Sequence, residues 1–143
     1  MERAHYLGGI LVDWDADRRL EILDKVAQSG HRVAGIDTAQ AFEGVRQIRL
    51  QAGETLVEAG APSGIVYIAE GEGLHGLPLG GYDAFAIRPW VPVGVTGVVR
   101  GAARNATVEA DQDVALLAIP KDVYLKHWHR TYDASAFAAL FSS

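Results

Sequence analysis

The chain has 143 residues, of which 49% are hydrophobic, and its net charge is −5. This length predicts one domain with a core, and the acidic balance argues against a general nucleic-acid or acidic-membrane surface. There is no cysteine, no apolar run of membrane-spanning length and no signal-peptide pattern at residues 1–5, so a cytoplasmic protein without membrane contact is expected.

The N-terminal stretch is predicted to be helical. Asp13, Asp15 and Asp17 alternate as in a calcium-binding loop, but Arg18 stands where such a loop requires glycine. The aspartates are therefore interpreted as capping carboxylates of a helix over residues 15–28. The hydrophobic period places four residues on the apolar face of this helix: Leu20, Leu23, Val26 and Ala27.

Short strands are predicted between residues 45 and 120. From Val45 onward apolar side chains recur at every second position, and the 16 glycines lie mostly between Gly44 and Gly101, as in all-β domains with tight turns. Two prolines predict an extended or edge segment at Trp90. The predicted strands cover residues 45–50, 55–57, 65–69, 84–87, 106–110 and 114–119.

A glycine-rich run at residues 71–76 fits G-x-G-x-x-G, the pattern of dinucleotide-binding loops. Such a site needs a helix that begins at the run, but Pro78, Gly80 and Gly81 follow. The run is therefore interpreted as a hairpin turn.

Two C-terminal helices are predicted, over residues 121–130 and 134–141. Pro120 suits a helix start, and Asp133 suits a cap for the second helix. The first helix is expected to bury Val123, Tyr124 and either His127 or Trp128.

Neither a metal centre nor a catalytic triad is predicted. His127 and His129 form the chain's His-x-His pair, and on a helix side chains at i and i+2 diverge. No Gly-x-Ser-x-Gly elbow is present, and Glu70 and Glu72 are interpreted as solvated rim carboxylates. The sequence therefore predicts a non-enzymatic protein, with no cofactor.

Residues 93–108 combine turn glycines, arginines and a strand-like end. Gly94 opens the stretch, Arg100 and Arg104 supply positive charge, and strand-like alternation follows from Asn105. Backbone N–H groups in a glycine turn, with a guanidinium beside them, are suited to bind a phosphate. This stretch is therefore the predicted anion site.

The same stretch resembles the phosphate-binding cassette of the cyclic nucleotide-binding domain family, which reads approximately Phe-Gly-Glu-x-Ala-Leu, a short loop and Pro-Arg-Ala-Ala-Thr-Val. Aligned without a gap, Gly94 falls on the cassette glycine, Val95 on the glutamate and Arg104 on the phosphate-binding arginine. Upstream, the run that begins at Ile65 and ends in Glu-Gly is similar to a strand of the family. The resemblance covers about residues 45–130.

The resemblance implies a cyclic nucleotide ligand, cAMP or cGMP. Arg104 and nearby backbone amides would hold the phosphate, and Asn105 could offer a further donor. The family's glutamate holds the ribose 2′-hydroxyl, and Val95 cannot accept that bond, so affinity should fall by about one to two powers of ten. The ligand-binding residues predicted on this basis are Gly94, Val95, Thr96, Gly97, Arg104 and Asn105.

Two local predictions concern the same stretch. Residues 95–99 are β-branched around Gly97 and are predicted to form a helix poorly. Arg104 either binds a phosphate or is a structural arginine at a strand start, paired with a carboxylate such as Glu109 or Asp111. Both interpretations of Arg104 stay open.

The predicted fold is mainly β with flanking helices: an antiparallel β-roll of the jelly-roll type. The roll spans residues 45–120, between an N-terminal helical segment over residues 1–44 and C-terminal helices over residues 121–143, in one structural domain.

Two functions fit this fold. The first is a regulatory sensor domain that binds cAMP or cGMP weakly. The second is a roll that has lost its ligand and serves as a protein-interaction domain or homodimer, which Val95 and the apolar run over residues 93–99 favour. No nucleic-acid partner is expected, because the chain ends before any helix-turn-helix could follow.

Overall fold

The computed structural model describes residues 8–29 and 37–129 of the chain. Within this part, no helix has the length and apolar character needed to cross a membrane. The elements in chain order are β1 (Ile10–Leu11), α1 (Ala16–Gln28), α2 (Thr38–Ala41), β2 (Arg46–Leu50), β3 (Thr55–Val57), β4 (Ile65–Ala69), β5 (Leu74–Pro78), β6 (Phe85–Ile87), β7 (Pro92–Val93), α3 (Val95–Arg100), β8 (Ala106–Ala110), β9 (Val114–Pro120) and α4 (Lys121–Val123), which continues as a π-helix over Tyr124–Trp128.

The strands form two sheets in which every pairing is antiparallel. One sheet has five strands in the order β1-β2-β9-β4-β7, and the other has four in the order β3-β8-β5-β6. Helical segments flank the sheets in the chain. The structure thus confirms the predicted fold class, an antiparallel β-roll with flanking helices.

Buried apolar side chains form two clusters, one on each face of the five-stranded sheet. The inner cluster lies between the two sheets and includes Ile65, Tyr67 and Ala69 of β4. The outer cluster lies between the five-stranded sheet and the helices and includes Val66 and Ile68 of the same strand. Because side chains alternate along a strand, a strand covered on both faces must be apolar throughout. All five residues of β4 are buried, which explains its uninterrupted apolar sequence.

The first helix begins where the sequence predicted. The Asp15 side chain accepts a hydrogen bond from the Arg18 backbone N–H at 2.9 Å, as an N-cap does. The predicted apolar face is partly wrong, because Leu20 and Ala27 are exposed. The face that packs on the outer cluster is centred on Ile22 and Val26, which are separated by four residues and therefore lie one above the other.

Two local predictions in the strand region need correction. The glycine-rich run is not all turn, because β5 begins at Leu74 and continues through Gly76. Glycine suits position 76 of this strand, because the ring of Phe85 on β6 occupies the space that a Cβ would fill. Trp90 is not extended: its φ is +67°, in the left-handed region, and strand pairing begins only at Pro92.

The last described residues of the chain contribute buried side chains to the outer cluster. Tyr124 and Trp128 are buried, whereas His127 is only half-buried. The Trp128 Nε1–H donates to the Ala41 carbonyl at 2.6 Å, and burial raises the pKa of Tyr124 to about 12. The predicted helix is therefore confirmed up to Trp128, with a π-helical second half. The helix predicted over residues 134–141 lies outside the described residues.

Candidate functional site

The cassette-like stretch contains a helix, contrary to the prediction for residues 95–99. Helix α3 begins after Gly94, which has φ +88°, and is followed by Gly101, which has φ +65°. The Ala102 N–H donates to the Gly97 carbonyl at 2.9 Å and closes the last turn. Both ends of the helix thus use backbone conformations that glycine adopts readily.

Packing explains why this helix forms despite its β-branched residues. Val98 is 1% exposed in the outer cluster, and Val95, three residues earlier, packs against the same cluster. Residues at this spacing share one helix face, so the buried Val98 and the half-buried Val95 pack on the same side. Burial of a valine stabilises a fold by about 1.5–3 kcal/mol, which exceeds a helix-propensity penalty of about 0.7 kcal/mol or less per residue.

Arg104 is a buried charged residue whose guanidinium lies against the start of this helix. The residue is 4% exposed, and its Nη2 donates to the Ile65 carbonyl at 2.5 Å. The guanidinium carbon lies 5.9 Å from the centre of the Tyr67 ring. At Gly94 a Cβ would overlap the Nη1 atom of Arg104, so glycine is required there by space as well as by φ. The first glycine of the stretch and its buried arginine therefore form one unit.

The carboxylates suggested as partners of Arg104 contact a histidine. His75 Nε2 lies 3.2 Å from Glu109 Oε1, and His75 Nδ1 lies 2.7 Å from Asp111 Oδ1. His75 is on β5, which pairs with β8, so the register places it opposite Glu109. The interpretation of residues 71–76 as a hairpin turn is therefore wrong for His75, which lies on a strand beside two acidic side chains. Its two acidic neighbours could not be inferred without the strand register.

A cavity of about 360 Å³, which we call the inner cavity, opens beside Arg104. Three of its lining side chains are polar: Arg88, Arg104 and Asn105. The other lining residues are apolar or glycine and come from β3, the β6–β7 region and β8: Val57, Phe85, Ala86, Ile87, Val91, Pro92, Val93, Gly94, Ala106 and Val108.

A second concavity of about 480 Å³, which we call the cassette groove, lies along helix α3. All six residues predicted as ligand-binding line it, and three of them, Gly94, Arg104 and Asn105, also line the inner cavity. The structure therefore brings the predicted site residues together, around a buried guanidinium shared by two concave surfaces.

Some lining residues were not predicted from the sequence. Ser63 comes from the loop before β4, and its hydroxyl lies where a Cβ on Gly97 would be, so Gly97 lets this loop approach the helix. Val57, Ile87 and Val108 line the inner cavity from three different strands. The sequence predicted a strand at each of these positions, but only the sheet topology shows that they surround one space.

This arrangement is suited to hold an anion attached to an apolar body. A guanidinium forms short, strong hydrogen bonds to phosphate or carboxylate, and an apolar cavity favours a ring system beside it.

Among residues 8–29 and 37–129, no group of three or more histidine and acidic side chains is placed to bind a metal.

No protein-family model and no curated protein matches the chain. Solved structures do match. The regulatory subunit of a cAMP-independent protein kinase A from Trypanosoma brucei is 14% identical with a TM-score of 0.66, over 84% of this chain and 44% of that chain. The corresponding Trypanosoma cruzi subunit, bound to guanosine, is 12% identical with a TM-score of 0.67, over 86% of this chain and 45% of that chain.

The regulatory domain of Toxoplasma gondii protein kinase A, solved with cAMP, is also similar. It is 15% identical with a TM-score of 0.59, over 77% of this chain and 42% of that chain. The chain thus spans less than half the length of each of these three structures. At such identities the matches establish the fold alone: the chain has the β-roll fold of these three regulatory-subunit structures.

Proposed function

We propose that this chain is a non-enzymatic regulatory domain that binds a cyclic nucleotide, cAMP or cGMP, with low affinity. The observation that carries this proposal is Arg104: a buried guanidinium that lines both the inner cavity and the cassette groove, next to Gly94. A guanidinium forms short, charge-assisted hydrogen bonds to phosphate oxygens, and these are stronger than bonds between neutral groups.

The phosphate end of the site would be formed by Arg104 and the first turn of α3. Because Gly94 and Gly97 have no Cβ, the Arg104 guanidinium and the Ser63 hydroxyl can lie against the backbone of this turn. Asn105 is exposed and lines both concave surfaces, where its amide can donate to the phosphate or to a base. These residues would fix the orientation of the anion.

The base end would lie in the inner cavity. Val57, Ile87 and Val108 offer apolar contacts to a purine there. Two similar structures are described as bound to guanosine and to cAMP, which supports a ligand of nucleoside size in this fold. In the proposed mechanism, ligand binding moves the helical segment that follows β9 and so reports the signal to the rest of a larger assembly in the cytoplasm.

Calorimetric titration with cAMP and cGMP, at millimolar nucleotide, tests this function. Wild-type protein should give saturable heat with at least one of them. Arg104→Ala should weaken binding by about tenfold or more, because a hydrogen bond to a charged group contributes about 1.5–3 kcal/mol. Arg104→Lys keeps a positive charge in case the alanine variant is unstable, and it should bind with intermediate affinity.

Arg100→Ala is the matched control for the arginine variants. Arg100 is exposed and lines only the cassette groove, so its loss should change affinity less than the loss of Arg104. Unchanged affinity in both Arg104 variants, with the fold intact by circular dichroism, would contradict the assigned phosphate role.

A second candidate function is protein interaction without a ligand. The hairpin of β5 and β6 exposes four large apolar side chains: Leu77, Leu79, Tyr82 and Phe85. Exposed apolar side chains close together in the chain are typical of interaction surfaces. No heat with either nucleotide, together with a dimer by light scattering that Leu79→Lys abolishes, would favour this function.

A further inference from the structure

All the charged side chains that line the inner cavity and the cassette groove are arginines. Arg88 and Arg104 line the cavity, and Arg100 and Arg104 line the groove. None of the described residues that line either surface is an aspartate or a glutamate, although the chain has 18 acidic residues and 13 lysines and arginines. Positive charge is therefore concentrated at this site against the overall charge of the chain.

Arg88 and Arg100 have guanidinium groups that the protein itself does not use. Both residues are exposed, and neither forms a hydrogen bond or an ion pair with another residue in the ranges 8–29 and 37–129. Arg18, by contrast, contacts Glu21 at 3.0 Å. Because a guanidinium has five N–H donors and no acceptor, the groups that Arg88 and Arg100 can bind are acceptors and anions.

A cyclic mononucleotide carries too little charge to balance this site. Its phosphodiester bears one negative charge, which the forked donors of one guanidinium can match. Arg104 lines both surfaces and would supply that contact, so Arg88 and Arg100 would stay beside the ligand as unmatched positive charges. Charges of one sign around a concave surface raise the local concentration of the opposite ion. Further negative charge on the ligand should therefore strengthen binding.

The two surfaces also have space for a ligand with a further anionic group. The cavity of about 360 Å³ and the groove of about 480 Å³ each have the size of a small-molecule site. Gly94, Arg104 and Asn105 belong to both, so the two spaces adjoin at these residues. A ligand with one phosphate at Arg104 can thus extend toward Arg88 on the cavity side or toward Arg100 on the groove side.

Given the proposed phosphate role of Arg104, we propose that the ligand of this site is a nucleotide with at least two negative charges on its phosphates. Arg104 binds one phosphate, and the exposed guanidiniums of Arg88 and Arg100 attract the additional charge. The low affinity proposed for cAMP and cGMP agrees with this ligand class, because each of them brings a single charge to a site with three arginines.

Calorimetric titration of the wild-type protein with cAMP, AMP and ADP, in magnesium-free buffer at one ionic strength, tests this inference. The three share adenine and ribose, but AMP and ADP carry more phosphate charge than the diester of cAMP. ADP should bind at least about fivefold tighter than cAMP, with AMP between them. The double variant Arg88→Ala/Arg100→Ala should lose most of this difference, while its affinity for cAMP should fall less.

Arg49→Ala is the matched control for the loss of an exposed arginine. Arg49 is exposed and likewise has no hydrogen-bond or ion-pair partner in the described part of the chain, but it lines neither surface. The preference for ADP should therefore persist in this variant.

The outcomes separate this inference from the proposed function. Binding of cAMP at least as tight as that of ADP, or a preference for ADP that the double variant retains, would overturn the inference and leave cyclic nucleotide binding standing. Binding of ADP without binding of cAMP or cGMP would support the inference and overturn the cyclic nucleotide function. Absence of binding by all of them would overturn both.

Discussion

The two faces of the cassette helix differ in what they contact. On the inner side, Gly94 and Arg104 border the inner cavity, and their geometry is set by an absent Cβ and a buried guanidinium. On the outer side, Val98 is buried in the outer cluster, and Val95 packs against the same cluster while it also lines the cassette groove. The groups proposed to bind a phosphate thus lie on one face, and the fully buried Val98 lies on the other. Val95 offers no side-chain acceptor to the groove, and its apolar packing supports the helix.

This difference explains how a cassette can keep its shape while its polar groups change. The helix is bounded by two glycines with positive φ and held by apolar packing, neither of which depends on a ligand. Substitutions on the two faces should therefore separate stability from binding.

The largest effect should come from Gly94→Ala. The alanine would have to keep a φ of +88°, which is unfavourable for a residue with a Cβ, and its Cβ would overlap the Arg104 guanidinium. We therefore expect a loss of about 3 kcal/mol in the free energy of unfolding. Gly101→Ala is the matched control: its φ is +65°, but no atom lies within 4 Å of the added Cβ, so only about 1 kcal/mol should be lost. Urea unfolding measures both losses, and equal losses would contradict the contact between Gly94 and Arg104.

The outer face should respond to Val98→Ala with a loss of about 2 kcal/mol, because a fully buried valine loses its apolar contacts. The neighbouring Val99 is 46% exposed, and Val99→Ala should change stability by less than about 0.5 kcal/mol. Thermal or urea unfolding of both variants measures the two losses of stability. Similar values for the two variants would mean that the helix does not depend on the outer cluster.

Val95→Glu should lower stability and raise the affinity for cAMP. We expect a loss of about 1 kcal/mol in stability, since a carboxylate replaces a half-buried valine. Affinity for cAMP should rise by about tenfold, because a charged acceptor becomes available for the sugar hydroxyl. The affinity for 2′-deoxy-cAMP should stay unchanged. Val95→Gln, which carries no charge, is the control, and an equal rise for both nucleotides would contradict a role at the sugar.

The smallest effect concerns pH. Partial burial lowers the pKa of His129 below its ordinary value of 6.5. The folded state therefore binds fewer protons than the unfolded state between the two pKa values, and stability should fall as pH drops through 6.5 toward the lower pKa. His129→Gln should flatten this part of the stability curve, measured by urea unfolding at each pH. Parallel curves for the two proteins would show that His129 contributes nothing.

Local chemistry made much of the fold predictable. The Asp15 cap, the alternating strands and the all-apolar β4 follow from capping preference and from periodicity. The cassette residues were predicted from turn glycines, arginines and the resemblance to a known cassette, which are all visible in one continuous stretch of sequence. These features depend on neighbours in sequence.

The missed features depend on contacts between distant segments. Helix α3 forms because the outer cluster buries Val98, which propensity alone does not reveal. Trp90 keeps its left-handed backbone while its N–H donates to the Ala69 carbonyl at 2.8 Å and its carbonyl accepts from the Ser29 hydroxyl at 3.0 Å. The approach of Ser63 to Gly97 likewise joins segments far apart in the chain.

The central claim is that the inner face of the cassette binds a nucleotide phosphate at Arg104. Nuclear magnetic resonance of ¹⁵N-labelled protein, titrated with cAMP and with cGMP to millimolar concentration, tests it directly. The account predicts progressive shifts of the Gly94 amide, the Arg104 guanidinium Nε–H and the Asn105 side-chain amide. It also predicts smaller shifts for Val66 and Ile68, whose side chains face the outer cluster. Spectra that do not change with either nucleotide, or shifts confined to residues away from Arg104, would contradict it.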